Sequence, residues 1–188
     1  MEKRRLYILS ACILPLMICS GLVYSMFSLY MSEQLNATKT QIGLTYMLGS
    51  LVGLLLGPYL GKLADRFGRK PIILASMASF GLIFLLYSMV RGLFIVYAVQ
   101  LLEGAAWVAI GAATTAYIAD IIPQDRRGWA MGVYQQTVSV GWIIGPAFGG
   151  FLSDVIGSRQ TFMLGAIFVT IGFVLALFLV KETHHQQG

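Results

Sequence analysis

The chain predicts an all-α membrane protein of six transmembrane helices, arranged as a 3+3 inverted repeat. Of its 188 residues, 57% are hydrophobic and 11% charged, with a mean hydropathy of +0.77; a soluble domain carries roughly a quarter of its residues as charges. Six apolar segments follow one another, each with the roughly 20 residues a helix needs to cross a bilayer core. A long motif, Gly57-Pro58-Tyr59-Leu60-Gly61-Lys62-Leu63-Ala64-Asp65-Arg66-Phe67-Gly68-Arg69-Lys70, returns in weaker form as Gly145-Pro146-Ala147-Phe148-Gly149-Gly150-Phe151-Leu152-Ser153-Asp154-Val155-Ile156-Gly157-Ser158-Arg159. Each copy ends an apolar segment, an internal symmetry that hydrophobic carrier chains commonly show.

The first span, Leu6 to Tyr30, follows Met1-Glu2-Lys3-Arg4-Arg5. Its apolar run is too long for a secretory leader and lacks a small-residue cleavage site, so it is expected to remain as a span. Cys12 and Cys19 share one of its faces and read as packing residues. The second span, Thr40 to Leu60, leads into a glycine every fourth residue at Gly49, Gly53, Gly57 and Gly61. The third runs Pro71 to Val90, the fourth Leu93 to Ala119, the fifth Trp129 to Leu152 with Gly141, Gly145 and Gly149, and the sixth Thr161 to Val180. Glycine-lined faces let helix backbones approach closely in lipid. Pro58 and Pro146 each remove a backbone donor, which predicts kinks beside both Gly-Pro pairs. The whole chain, 1–188, is expected to form one domain, with 6–90 and 93–180 as its repeats.

Orientation follows from the 13 Lys and Arg. With both termini cytoplasmic, Lys3, Arg4, Arg5, Lys62, Arg66, Arg69, Lys70, Arg126, Arg127 and Lys181 lie inside, leaving Lys39, Arg91 and Arg159 outside, a clear positive-inside bias. Topology therefore accounts for the net charge of +5, and no nucleic-acid partner is implied because the basic residues share no single aqueous face. His184 and His185 fall short of the four ligands a closed metal site needs. No phosphate-cradling loop, metal spacing or nucleophile elbow is present, so neither an enzyme nor a cofactor is expected. Any transport would draw on an ion or substrate gradient.

The two motif copies lie at opposite membrane faces. Setting topology explains Lys62, Arg66, Arg69 and Lys70 but not Asp65, which among four cations can accept charge-assisted hydrogen bonds or cap a neighbouring helix. A breakable ion-pair latch on a short turn between spans 2 and 3 is the preferred reading. The external copy keeps only Asp154 and Arg159.

Gly61 to Lys70 resembles the loop motif, motif A, of the major facilitator superfamily. Gly141-Trp142-Ile143-Ile144-Gly145-Pro146-Ala147-Phe148-Gly149-Gly150 resembles the fifth-helix motif of its drug/proton antiporter branch, and Asp120-Ile121-Ile122-Pro123 with Arg126-Arg127-Gly128 resembles the turn between helices 4 and 5. The resemblance spans the chain as one six-helix half. It implies two halves that enclose a cavity and rock to expose it to each side in turn. It further implies that Gly61, Asp65, Arg66, Gly68, Arg69 and Lys70 form a cytoplasmic latch with Asp120. Gly141, Gly145, Pro146, Gly149 and Gly150 would pack the fifth helix against the opposite half, and helices 1 and 4 would line the cavity. The arginine that many drug antiporters carry in helix 4 has no counterpart here, where Gln100 precedes Glu103-Gly104.

Glu103 is the one charge at membrane depth. Gln100, Glu103, Gly104, Trp107, Gly111 and Thr114 fall on one helical face. A carboxyl there costs at least roughly 2.5 kcal/mol unless paired, hydrated or protonated, which suits a group that alternates between a proton and a cation; the bland alternative is a protonated glutamate bonded to a neighbouring helix. Tyr24, Trp107, Tyr134 and Trp142 could offer aromatic surface to an apolar or cationic substrate, although aromatic residues in spans more often pack. The expected function is proton-coupled export of small amphipathic molecules by alternating access from a plasma or bacterial inner membrane, with lipid, protons, the substrate and a second six-helix half or second copy as partners. Uptake of sugars or organic acids is the alternative within the superfamily; a half without transport of its own, or an interaction subunit, is the alternative outside it.

Overall fold

A computed structural model describes residues 2–183, so the tail histidines His184 and His185 lie outside the described residues. The chain forms α1 (Glu2–Leu35), α2 (Lys39–Phe67), α3 (Arg69–Met89), α4 (Leu93–Ile121), α5 (Arg127–Ile156) and α6 (Ser158–Leu179), with one 3-10 turn at Gln124–Arg126 before α5. All six are long and apolar enough to cross a membrane, and there is no strand among the described residues. Most run past the predicted apolar spans. A span read from hydropathy stops at the first charge, whereas helical hydrogen bonding continues into the headgroup region.

Local chemistry sets the breaks. Thr38 and Gln41 form a capping box at the start of α2: the Gln41 N–H donates to Thr38 Oγ1 at 3.3 Å and the Thr38 N–H to Gln41 Oε1 at 2.8 Å. Between α2 and α3 the chain turns on Gly68 alone (φ 98°, ψ 157°), and between α5 and α6 on Gly157 alone (φ 87°, ψ 156°). Only glycine takes these angles without strain. The expected charged turn between spans 2 and 3 is thus a single residue: Lys62, Asp65 and Arg66 belong to the end of α2, and Arg69 and Lys70 to the first turn of α3. Both α2 and α5 continue as helix through Pro58 and Pro146.

The packing has the symmetry of an inverted repeat. Exchanging α1 with α4, α2 with α5 and α3 with α6 maps the α1–α5 contact onto α4–α2 and the α1–α6 contact onto α4–α3, and leaves α3–α6 unchanged; these five are the extensive contacts of the bundle. Hydrogen bonds repeat with it. The Tyr30 hydroxyl of α1 donates to the carbonyls of Tyr87 (3.0 Å) and Val90 (3.2 Å) at the end of α3, while Tyr117 of α4 donates to the Lys181 carbonyl (2.9 Å) beyond α6. α1 is the most enclosed helix, and α2 and α5 are the least. The core is correspondingly dominated by α1, α3 and α4, including Ile13, Leu16, Phe80, Phe84 and Ile110. Cys12 and Cys19 are buried and unpaired with each other.

Candidate functional site

Where α2 meets α3, Arg69 is 7% exposed and joins two elements. Its guanidinium donates to Asp65, one turn back in α2, and through Nε to Asp120 Oδ2 at 3.2 Å, at the end of α4. Planar, forked arginine suits such a double engagement. Thr183 Oγ1 donates to the same Asp120 oxygen at 3.1 Å. Sequence reasoning missed Glu182. Its Oε1 accepts from the backbone N–H of Arg69 (3.0 Å) and of Lys70 (3.3 Å), so this carboxylate, and not Asp65, caps the positive end of α3. Gly68 is where they meet, since a Cβ there would sit 2.9 Å from Glu182 Oε2. Lys70 Nζ donates to the Leu177 carbonyl at 2.8 Å, Arg66 lies over the Phe67 ring, and Gly61 faces open space. The cluster thereby ties α2, α3, α4 and the segment after α6 through contacts that separate without breaking a covalent bond.

At the opposite end Arg159 of α6 donates to Gln34 Oε1 (3.1 Å) and to the Val90 carbonyl (2.9 Å). Asp154 forms no ion pair with it among the described residues. The second motif copy therefore replaces ion pairs with neutral acceptors.

The predicted polar face of α4 divides between two neighbours. Glu103 is 3% exposed and meets α3, where the Tyr87 hydroxyl lies 2.6 Å from Glu103 Oε2 and 2.9 Å from Gln100 Oε1. Among the described residues no Lys, Arg or His reaches Glu103 within ion-pair distance. Gln100, Gly104 and Trp107 instead line a cavity of about 340 Å³ with Tyr24, Tyr46, Ser50 and Gly53, so that Glu103 sits behind the wall and not on it. Gly111 faces open space, and Thr114 is buried with no partner for its hydroxyl. Tyr24 stacks obliquely on Tyr46 (5.3 Å between centroids) and edge-on to Trp142 (5.6 Å), giving the cavity an aromatic border. Tyr134 is half-buried and is not part of that lining. Tyr87 had no sequence signal beyond its place in a span; only the fold brings it to Glu103. Two larger clefts, about 510 Å³ and 450 Å³, lie between α3 and α6 and among α1, α5 and α6. Their walls are apolar save Thr170 and offer little to orient a polar ligand.

The glycines of α5 require a correction. Cβ atoms at Gly141, Gly145 and Gly149 would run into α1 at Met17, Ile18, Gly21 and Leu22, and Pro146 rests 3.1 Å from where a Gly21 Cβ would stand. This seam is filled by α1 of the same six-helix unit, and is not left for an opposite half. Gly150 points away, with nothing within 4 Å of its would-be Cβ. On α2, Gly49 packs on Gln100, and Gly53 and Gly57 on Val108 of α4.

The model of the Major Facilitator Superfamily matches residues 9–188. The chain belongs to this superfamily. Among its relatives, Multidrug resistance protein 2 of Bacillus subtilis is 35% identical over 130 residues, covering 69% of this chain and 32% of that protein. Tetracycline resistance protein, class H, of Pasteurella multocida is 31% identical over 153 residues, covering 81% and 38%. The crystal structure of the human organic anion transporter MFSD10 (TETRAN) matches with a TM-score of 0.78 and 18% identity, over 97% of this chain and 48% of that one. At that identity the likeness shows the fold, and the fold is half of a major facilitator unit. The chain spans less than half the length of these relatives. The superfamily is not an enzyme class, and its members are multi-pass membrane proteins like this one.

Proposed function

We propose that the chain is the N-terminal half of a secondary carrier that exports small amphipathic molecules in exchange for protons, both termini lying on the cytoplasmic side of a plasma or bacterial inner membrane. The observation that carries this reading is a buried carboxyl with no cationic partner among the described residues, set one hydroxyl behind an aromatic-walled cavity. Such a group is stable in a membrane when it holds a proton or faces a cation, and alternation between the two is what coupling requires. Drug and tetracycline resistance proteins among the relatives support the cargo class. The few polar groups of the cavity, Gln100, Ser50, the Trp107 indole and two tyrosines, suit a flat amphiphile better than a polyhydroxylated sugar.

The cavity needs a second wall. A further six-helix unit, in the same chain or in a second copy, would enclose it against the exposed faces of α2 and α5. Arg69, Asp65 and Asp120, with Gly61, Arg66, Gly68 and Lys70 around them, would then act as the latch of one end state, and the Arg159 contacts as its weaker counterpart. The reading is tested in membrane vesicles carrying the whole protein, by efflux of a lipophilic cationic dye under an imposed pH gradient. Glu103→Gln should abolish gradient-driven efflux at normal expression; efflux with unchanged rate and pH dependence would contradict the coupling role.

A further inference from the structure

The contact between Tyr87, Gln100 and Glu103 contains a counting problem. A tyrosine hydroxyl has one hydrogen and can accept from other donors, yet Tyr87 lies within bonding distance of two acceptor oxygens, Gln100 Oε1 at 2.9 Å and Glu103 Oε2 at 2.6 Å. All three residues are buried, so a lone pair facing a lone pair carries the full cost of an unsatisfied polar group. Two arrangements solve it. In the first, Glu103 is protonated and donates to the Tyr87 oxygen, while Tyr87 donates to Gln100 Oε1. In the second, Glu103 is ionised and accepts from Tyr87, and the Gln100 carboxamide has turned over so that its N–H donates to the Tyr87 oxygen.

We propose that these three residues form a hydrogen-bond inverter, in which the proton on Glu103 decides which end of the Gln100 carboxamide faces the cavity. With Glu103 protonated, the cavity is offered an N–H donor. With Glu103 ionised, it is offered a carbonyl acceptor, the group that suits a cationic or hydrogen-bond-donating cargo. The atoms balance: one proton is taken from water onto the Glu103 carboxylate, the Tyr87 hydroxyl rotates without breaking its O–H bond, and the amide turns about its terminal torsion. Gln100 lies on the cavity wall and Glu103 does not, so the amide carries information that the carboxyl cannot deliver itself.

The surroundings permit the turn. The Gln100 nitrogen lies against Gly49 of α2, where a Cβ would stand 2.8 Å away and crowd either end of the amide. The titratable groups around Glu103 are Tyr87 from α3, Tyr24 from α1 and Tyr46 from α2. No Lys, Arg or His from any helix comes within ion-pair distance of Glu103 among the described residues. No basic side chain therefore holds the network in its ionised state. The inverter rests on the coupling reading above for its use in transport, but its geometry is testable without transport.

The experiment is pH-difference infrared spectroscopy of the purified protein in phospholipid vesicles with isotope-labelled glutamine. The carboxyl band is assigned by its loss in Glu103→Gln and the side-chain amide band by its loss in Gln100→Leu. The expected result is that both bands change with one midpoint in the unmodified protein, and that in Tyr87→Phe the carboxyl still titrates while the amide no longer responds. An amide band indifferent to pH in the unmodified protein, an amide response that survives in Tyr87→Phe, or a Glu103 carboxyl that never titrates would each overturn the inverter. Bands that move together in the unmodified protein, while Glu103→Gln still exports dye with unchanged rate and pH dependence, would instead count against the coupling reading alone.

Discussion

Replacing Gly145 with alanine probes the α1–α5 seam that organises this half. The new Cβ would meet three backbone atoms of α1: the Ile18 oxygen, the Leu22 nitrogen at 2.7 Å and the Gly21 carbonyl carbon at 2.9 Å. Backbone in the middle of a helix cannot rotate aside as a side-chain tip can, so α5 has to withdraw by about 1 Å to restore ordinary contacts near 3.5–4.0 Å. A gap of that size forfeits a quarter to a half of the ~0.1–0.2 kcal/mol held by each atom pair. Over roughly 50 such pairs along the seam, the loss is about 1–5 kcal/mol, a range that includes the ~1–3 kcal/mol typical of an overpacked core. At roughly 2–4 °C per kcal/mol for a chain of this size, Tm should fall by about 2–20 °C. The assay is thermal unfolding in lipid nanodiscs at fixed scan rate, with Gly150→Ala as the control because nothing lies within 4 Å of that position. An unchanged Tm for Gly145→Ala, or an equal loss for Gly150→Ala, would refute the backbone-contact argument.

Further outcomes follow from the charged end of the bundle. Arg69→Ala leaves Asp120 with Thr183 as its remaining side-chain partner among the described residues and should cost about 1–3 kcal/mol, less than a deeply buried pair because Asp65 is mostly exposed; Arg69→Lys should recover only part of this, since an ammonium lacks the planar fork that engages two carboxylates. Glu182→Gln should cost about 0.3–1 kcal/mol and speed hydrogen exchange at the Arg69 and Lys70 amides, while exchange in the middle of α3 stays unchanged. Tyr24→Ala opens one wall of the cavity and removes its contacts with Tyr46 and Trp142. It should weaken binding of an aromatic cation several-fold in a fluorescence titration, and unaltered binding would remove Tyr24 from the proposed cargo site.

The fold was largely legible because its determinants are local. Hydropathy locates the spans, and the repeated Gly-Pro motif places the break glycines Gly68 and Gly157 at matching points of the two repeats. Arg69 with Asp65 was readable for the same reason, lying four residues apart across the Gly68 break. What sequence could not show was which neighbour each face meets. Four-residue glycine spacing identifies a smooth face on α5 but not that α1 fills it. Glu103 was visible as a charge in an apolar run, yet its partner Tyr87 comes from another helix and resembles any other aromatic residue in a span. Glu182 lies next to Lys181 in a tail with no pattern, and its role as the cap of α3 arises because α6 ends beside the start of α3.

The measurement that bears most directly on the central claim, half of a two-part carrier, is the mass of the protein released gently from its native membrane, by native mass spectrometry with lipid and detergent stripped. The account predicts a particle holding two six-helix units, joined in one chain or paired as two. A stable particle with a single six-helix unit would contradict it, because the cavity beside Gln100 and Tyr24 would then have no second wall.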